Sequence, residues 1–267
     1  MWLPFRIGRF EVTGKLRYSH WSEVLSGHAA EGTDRGVRVA IKRPTPTVLE
    51  SSEATGWFRR EGTLLSDLSH PAFPQVLEFT GGSSPILVME HLDGADLATL
   101  LQVESLPTMP IDGWKLLLSD WLGGLDALHE GLGGQKVSHG DVSRGNLHVD
   151  CEGRGRLLDL GLAFAPQSLR QSVLKRRHEA WTNLPTTAEE EFAADIAGLF
   201  EAVSPFWPDD GTTPEFVSSL LRDAREGRWK SIPTAAHLYG MLQAQPDVRS
   251  VVKTWIQSSS NPSCTPV

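Results

Sequence analysis

The chain has 267 residues, 40% hydrophobic and 22% charged, enough for one large globular domain or two tightly packed lobes. A formal net charge of −8 argues against a general nucleic-acid binder, and no run approaches the ~20 apolar residues of a membrane span. Cys151 and Cys264 are too few for a disulfide scaffold and lack metal-ligand spacing, and Met1 to Arg6 has no signal-peptide core, so a reducing, cytoplasmic setting is expected.

Residues 7 to 45 read as strands and turns. Phe10-Glu11-Val12, Glu23-Val24-Leu25 and Val37 to Ile41 are short and β-branched or alternating, broken by Gly14, Gly27, Gly32 and Gly36. The third runs out on Lys42, which alone would be an ordinary solvated strand end. Ser51 to Ser69 reads as a helix with Ser51 or Ser52 as N-cap, apolar on Trp57, Phe58, Leu64, Leu65 and Leu68, with Glu61 mid-helix. His70-Pro71 stops it. Val76 to Phe79 and Pro85 to Glu90 are two further strands, followed by a turn and a helix start capped by Asp96. Residues 110 to 131 form a long helix on Ile111, Trp114, Leu117, Trp121, Leu125 and Leu128, weakened in its middle by Gly123-Gly124.

Leu147-His148-Val149 and Arg156-Leu157-Leu158 flank the turn Asp150 to Gly155 and read as a β-hairpin. Asp141 and Asn146 precede it and Asp159 follows it. Three oxygen-bearing side chains at the ends of a short hairpin suit Mg²⁺, which keeps waters and shares phosphate oxygens. Residues 160 to 194 then carry the basic cluster Arg170, Lys175, Arg176, Arg177 and His178, expected to be a solvated loop, with a docking site for an acidic partner as the alternative. Helices are expected over 189–203, 214–224 and 234–243, and over 247–256 with Asp247 as N-cap. A Ser/Pro-rich disordered tail is expected at 258–267. There are no internal repeats.

Taken in order, Val39-Ala40-Ile41-Lys42, Glu61, His70-Pro71, Ile86 to Leu97, His139-Gly140-Asp141-Val142-Ser143-Arg144-Gly145-Asn146 and Leu157-Leu158-Asp159-Leu160-Gly161 resemble a eukaryotic-like protein kinase domain of bacterial type. The resemblance implies an α+β bilobal fold in a single domain, 1–257. Its N-lobe (about 1–90) would be a five-stranded antiparallel sheet with one main helix, joined by a hinge at 90–94 to a mostly helical C-lobe (about 95–257). It implies ATP and Mg²⁺ as cofactors. Lys42 would clamp the α/β-phosphates and Glu61 would orient it. Asp141 would accept or orient the substrate hydroxyl proton, and Asn146 and Asp159 would hold the metal. Val24, Ala40, the gatekeeper Met89, the hinge residues Glu90 and Leu92, and His148 would contact the nucleotide. Asp195 would anchor the catalytic-loop backbone.

The departures cluster. Arg17, Ser19 and Ser22 stand where the family has the glycines of its phosphate loop, and are carried here as nucleotide-contacting positions. Ser143 replaces a Lys that steadies the γ-phosphate, with Arg144 beside it as a substitute of different geometry. Gly140 replaces the Arg that receives an activation-segment phosphate, so no requirement for that phosphorylation is expected. Ala-Pro-Glu is absent, and its Arg partner falls at Ile232. Three readings follow: a protein Ser/Thr kinase with an unknown protein substrate and no nucleic-acid or membrane partner; a pseudokinase serving as a nucleotide-binding or interaction module; or a small-molecule kinase of aminoglycoside or choline type, which the His-Gly-Asp form also resembles.

Overall fold

The computed structural model describes residues 3–132, 134–207, 215–242 and 248–259. The expected cap at Asp247 and most of the expected tail lie outside the described residues. The chain divides into two compact units, Met1–Ser69 with Pro74–Leu92, and His70–Phe73 with Asp93–Val267.

The first unit is an antiparallel sheet in the order β1-β2-β3-β4-β6-β5. Its strands are β1 (Phe5–Ile7), β2 (Phe10–Tyr18), β3 (Ser22–Ala29), β4 (Arg38–Pro44), β5 (Val76–Thr80) and β6 (Ile86–Glu90). Six strands stand where five are expected. The addition, β1, is a three-residue edge paired Phe5↔Val12, too short to show alternation in the sequence. Period-2 alternation divides the sheet's faces. Phe10, Val12, Leu25, Val39, Ile41 and Val88 form a core on one face, all 2% exposed or less, each worth about 1.5–3 kcal/mol when removed from water. Ala40 and Lys42 point to the other face.

A short turn of helix, α1 (Pro46–Leu49), leads into α2 (Ser52–Asp67). Ser51 is its N-cap, its Oγ accepting from Ala54 N at 3.2 Å. Ser51→Ala should therefore cost about 1 kcal/mol, read by chemical denaturation as a lower midpoint at unchanged slope. The helix buries Phe58, Glu61, Leu64 and Leu65.

The second unit opens with β7 (Gly94–Asp96) and the single turn α3 (Leu97–Leu100), capped by Asp96, whose Oδ1 accepts from Thr99 N at 2.8 Å. Its central element is α4 (Ile111–His129), which buries Trp114, Leu117, Trp121, Leu122, Leu125 and Leu128. The hairpin strands β8 (Leu147–Asp150) and β9 (Gly155–Leu157) complete a three-stranded sheet, β7-β8-β9. Gly124, which weakens α4 on propensity, has a packing reason. A Cβ there would lie 2.7 Å from both Ala72 Cβ and Leu157 Cδ1. Glycine lets β9 and the 70–73 segment press directly on the helix, and Leu157 N donates to Ala72 O at 2.6 Å. The hairpin is further held by Asp120, which accepts from Gly155 N at 2.8 Å and pairs in two-pronged fashion with Arg249 at 2.5 and 2.9 Å.

Residues expected to form a solvated loop instead contain a helix, α5 (Gln167–Arg177). Leu169, Val173 and Leu174 sit at helical spacing after Pro166, and Lys175, Arg176 and Arg177 in the last turn favour the negative end of the helix dipole. Four α-helices follow among the described residues: α6 (Ala188–Val203), α7 (Glu215–Arg225), α8 (Ala235–Met241) and α9 (Arg249–Ser258). α6 starts on a capping box of Thr187 and Glu190. Ile232 is buried between α7 and α8. Among the described residues no helix is long and apolar enough to cross a membrane.

Candidate active site

In the first unit the strand register sets the face. Val24 pairs with Lys42, and Ala40 pairs with Met89. Directly opposed residues share a side, so Val24, Ala40, Lys42 and Met89 lie on the face away from the core. There Lys42 Nζ meets Glu61 Oε1 at 2.6 Å, both residues at most 4% exposed. Nζ also lies 5.8 Å from the centre of the Phe58 ring. A buried pair of this kind holds only while both partners remain, because either charge left alone is strongly destabilising. The chain leaves β6 through Glu90 to Leu92. Glu90 N donates to Gln75 O at 2.9 Å, and Glu90 Oε1 accepts from Gln75 N at 2.9 Å.

The β2–β3 turn differs from an open glycine loop. Ser19 Oγ accepts from Trp21 N at 3.2 Å and from Ser22 N at 3.0 Å, and donates to Ser22 O at 3.0 Å. Two backbone amides at the tip are thereby engaged inside the turn. The tip is also pinned. Thr45 Oγ1 donates to His20 O at 2.8 Å, and the Trp21 ring packs 5.9 Å from Trp57 of α2. Arg17 is exposed, and Ser22 is buried.

In the second unit the residues around the hairpin converge. Asp195, near the middle of α6, accepts from His139 N at 2.7 Å and from Gly140 N at 2.9 Å, and its Oδ2 lies 3.0 Å from His129 Nε2. One carboxylate thus ties α4, α6 and the 138–146 loop. Gly140 sits at φ +77°, where a side chain is strained, and a Cβ there would lie 3.3 Å from both Leu162 O and Arg170 Cδ. Asn146, fully buried, donates through Nδ2 to Asp141 O at 2.8 Å and to Asp141 Oδ2 at 3.0 Å. Leu158 N donates to Asn146 O at 2.9 Å, and Leu147 pairs with Leu157, so the hairpin register sets Asn146 and Asp159 at its open end. Asp159 has φ 66°, a left-handed conformation that Asp tolerates better than most residues, and its Oδ1 accepts from Gly161 N at 3.1 Å.

Burial pushes the Asp141 carboxyl above its ordinary range, and Asp159 adds to this; Arg177, His139 and the Asn146 hydrogen bond oppose it. Arg177, at the end of α5, places Nε 2.7 Å from Asp141 Oδ1 and donates through Nη2 to Oδ2 at 3.0 Å. His148 is buried in β8, opposite Asp96 on one side and Arg156 on the other. Ser143 is buried, its Oγ without a hydrogen-bond partner among the described residues, and Arg144 is exposed.

Among the described residues no group of three or more His, Cys, Asp or Glu side chains could hold a metal ion by itself. One amide oxygen and one carboxylate at the hairpin's open end suit a hard cation that takes its other ligands from water and phosphate oxygens, which is the habit of Mg²⁺.

The Arg177–Asp141 ion pair, the Arg170 side chain over Gly140 and the His129–Asp195 contact are absent from the sequence reading. Spacing gives no sign of a contact across 30 residues or more. The helical spacing of Leu169, Val173 and Leu174 was the available signal for α5.

Comparison with known proteins agrees with this geometry. Residues 10–197 match the profile of the family described as protein tyrosine and serine/threonine kinase. The tyrosine-protein kinase MasK of Myxococcus xanthus is 32% identical over 184 residues, covering 64% of this chain and 28% of that one. The serine/threonine-protein kinase pkn2 of the same species is 32% identical over 161 residues, covering 58% of this chain and 18% of that one. The chain thus spans under a third of the length of these relatives. Among solved structures, the PpkA-294 apo form aligns with TM-score 0.67 at 17% identity, over 90% of this chain and 97% of that one. The PknI kinase domain of M. tuberculosis aligns with TM-score 0.63 at 17% identity, over 91% and 97%. Fold, local geometry and sequence profile converge, and the chain belongs to the protein tyrosine and serine/threonine kinase family.

Proposed function

We propose that the protein transfers the γ-phosphate of ATP to a serine or threonine hydroxyl of a protein substrate. The observation that carries this is the Asp141–Asn146 arrangement: a buried carboxylate with a raised pKa, hydrogen-bonded by an amide and set on a loop that Asp195 anchors. Bound Mg·ATP supplies the phosphoryl group and neutralises its charge. Asp141 would orient the acceptor hydroxyl and take its proton as that oxygen bonds to phosphorus and the bond to the leaving ADP breaks. Lys42, held by Glu61, would fix the phosphates, and Asn146 and Asp159 would supply the protein's oxygens to the cation. Val24, Ala40, Met89, Glu90, Leu92 and His148 would line the base. ATP as donor suits a cytoplasmic location.

The test is Mg·ATP turnover by the purified protein with generic protein acceptors, beside Asp159→Asn. Transfer that disappears in the variant supports the reading. Transfer to a small alcohol but to no protein points to a small-molecule kinase.

The closed β2–β3 turn favours a second reading, a pseudokinase with weak nucleotide binding. Ser19→Gly removes the oxygen that engages the Trp21 and Ser22 amides and restores a glycine. The ATP-induced rise in unfolding temperature should then be larger than in the parent, corresponding to about a threefold to tenfold gain in affinity if one anion hydrogen bond is recovered. An unchanged shift shows that the turn is not what limits nucleotide binding.

A further inference from the structure

We propose that the cleft beside the β8–β9 turn, separate from the Asp141 site, binds a small molecule that carries an oxyanion, a carboxylate or a phosphate.

The cleft lies wholly within the second unit, between α4, α8, the 70–73 segment and the hairpin turn, and has a volume of about 720 Å³. Small-molecule sites commonly enclose ~300–1,000 Å³ of this kind, part apolar and part polar.

Its polar groups are nearly all donors. Burial lowers the pKa of His70, with Asp120 and Asp126 opposing, so the ring is neutral near pH 7. Its Nδ1 accepts from Ala72 N at 3.2 Å, which leaves the ring proton on Nε2 as a donor. His70 Nε2, the hydroxyls of Ser119 and Tyr239 and the Arg154 guanidinium have no hydrogen-bond partner among the described residues. Asp120 is the one carboxylate on the wall, and it is engaged: Gly155 N donates to it at 2.8 Å, and Arg249 pairs with both its oxygens at 2.5 and 2.9 Å.

The charge of Arg154 is left over. The carboxylates nearest it in the turn have other partners, Asp150 with Arg156 at 3.2 Å and Glu152 with Lys253 at 2.7 Å. Three neutral donors around one uncompensated guanidinium call for a ligand rich in acceptors and negatively charged.

Gly123 supplies an independent sign. Gly124 is required by packing, but Gly123 is not: a Cβ there would lie 3.5 Å from Tyr239 Cε2 and 3.6 Å from His70 Cε1, ordinary contacts. Glycine within a helix costs about 1 kcal/mol against alanine. What Gly123 does is keep the floor of the cleft clear between the His70 and Tyr239 rings. Arg154 also belongs to the hairpin whose open end carries Asn146 and Asp159, so an oxyanion shared by Arg154 and α4 braces that hairpin from its turn.

The experiment titrates the full chain calorimetrically with glucose 6-phosphate, with citrate and, as the neutral control, with glucose, and follows amide hydrogen exchange over residues 151–155. At least one anion should bind while glucose does not, and it should slow exchange in the turn. Binding of citrate alone names a carboxylate ligand, and binding of glucose 6-phosphate alone names a phosphate. Arg154→Ala, at an exposed side chain, should weaken binding about tenfold. Gly123→Leu should abolish binding by filling the floor, with an unfolding temperature at or above that of the parent because leucine is the better helix former. No heat from either anion, equal binding of glucose, or an affinity unchanged in either variant overturns the site; in the last case the anion sits elsewhere on the chain.

Discussion

Asp141→Asn is expected to lower phosphate transfer by about 10²–10⁴-fold and, in the same molecule, to raise the unfolding temperature at neutral pH. The first effect follows from the proposed role, because an amide cannot accept the acceptor hydroxyl's proton. The second follows from the site's electrostatics. Burial is the largest influence on Asp141 and raises its pKa in the folded state. For a carboxyl with a raised folded pKa, the stability contribution is present below the unfolded pKa and is lost as pH rises through the folded one. Above that window the ionised carboxylate opposes folding. Asparagine is nearly the same size, keeps an oxygen for Asn146 Nδ2, and carries no charge to desolvate. Arg177 loses its partner but is 39% exposed at its side chain and can turn to water. The stabilisation should therefore be greatest at neutral pH and vanish towards acid, where parent Asp141 is itself protonated. Rates and thermal unfolding recorded across pH check both halves together. A variant that keeps its activity, or one whose destabilisation grows with pH, contradicts the account.

Asp195→Ala should show the opposite pairing, with stability and activity lost together. Asp195 is 3% exposed and accepts from the His139 and Gly140 amides and lies against His129. Alanine leaves two buried backbone donors and a buried imidazole without their acceptor, in a tightly packed place between α4 and α6. Removing one partner from such a network costs about 3–5 kcal/mol. In a chain of this size the unfolding temperature should fall on the order of 10 °C. The Gly140 region loses its anchor, so Asp141 also loses its position. Asp195→Asn keeps one acceptor oxygen but turns an NH₂ towards a backbone N–H, and should fall between parent and alanine. A thermal shift below about 3 °C would show that the loop is held mainly by other contacts.

The two substitutions separate kinds of buried carboxylate. Asp195 is surrounded by donors and contributes to the fold. Burial disfavours the charged form of Asp141 and pushes its carboxyl above the ordinary range, which is the pattern expected where chemistry is done.

Much of this was legible in the chain. Alternation marked β2, β3 and β4, and the 3–4 residue steps marked α2 and α4, because their apolar faces are wide enough to impose a period. The caps Ser51 and Asp96 were visible because they satisfy N–H groups only a few residues away. β1 escaped because three residues carry no period, and α5 because its polar residues outweighed Leu169, Val173 and Leu174.

By itself, then, the sequence determined the local elements and the residue types at the hairpin, because side-chain period and capping act within a turn or two of chain. It placed an Asp, an Asn and a second Asp at the ends of Leu147–Leu157, and a Lys and a Glu on neighbouring elements. Only the tertiary structure decided what those groups face. It closed the β2–β3 turn on Ser19, seated Arg170 over Gly140 and laid Arg177 across Asp141. Ion pairs between residues 36 positions apart depend on where two elements dock, and docking is set by the packing of the whole unit, which no local pattern encodes.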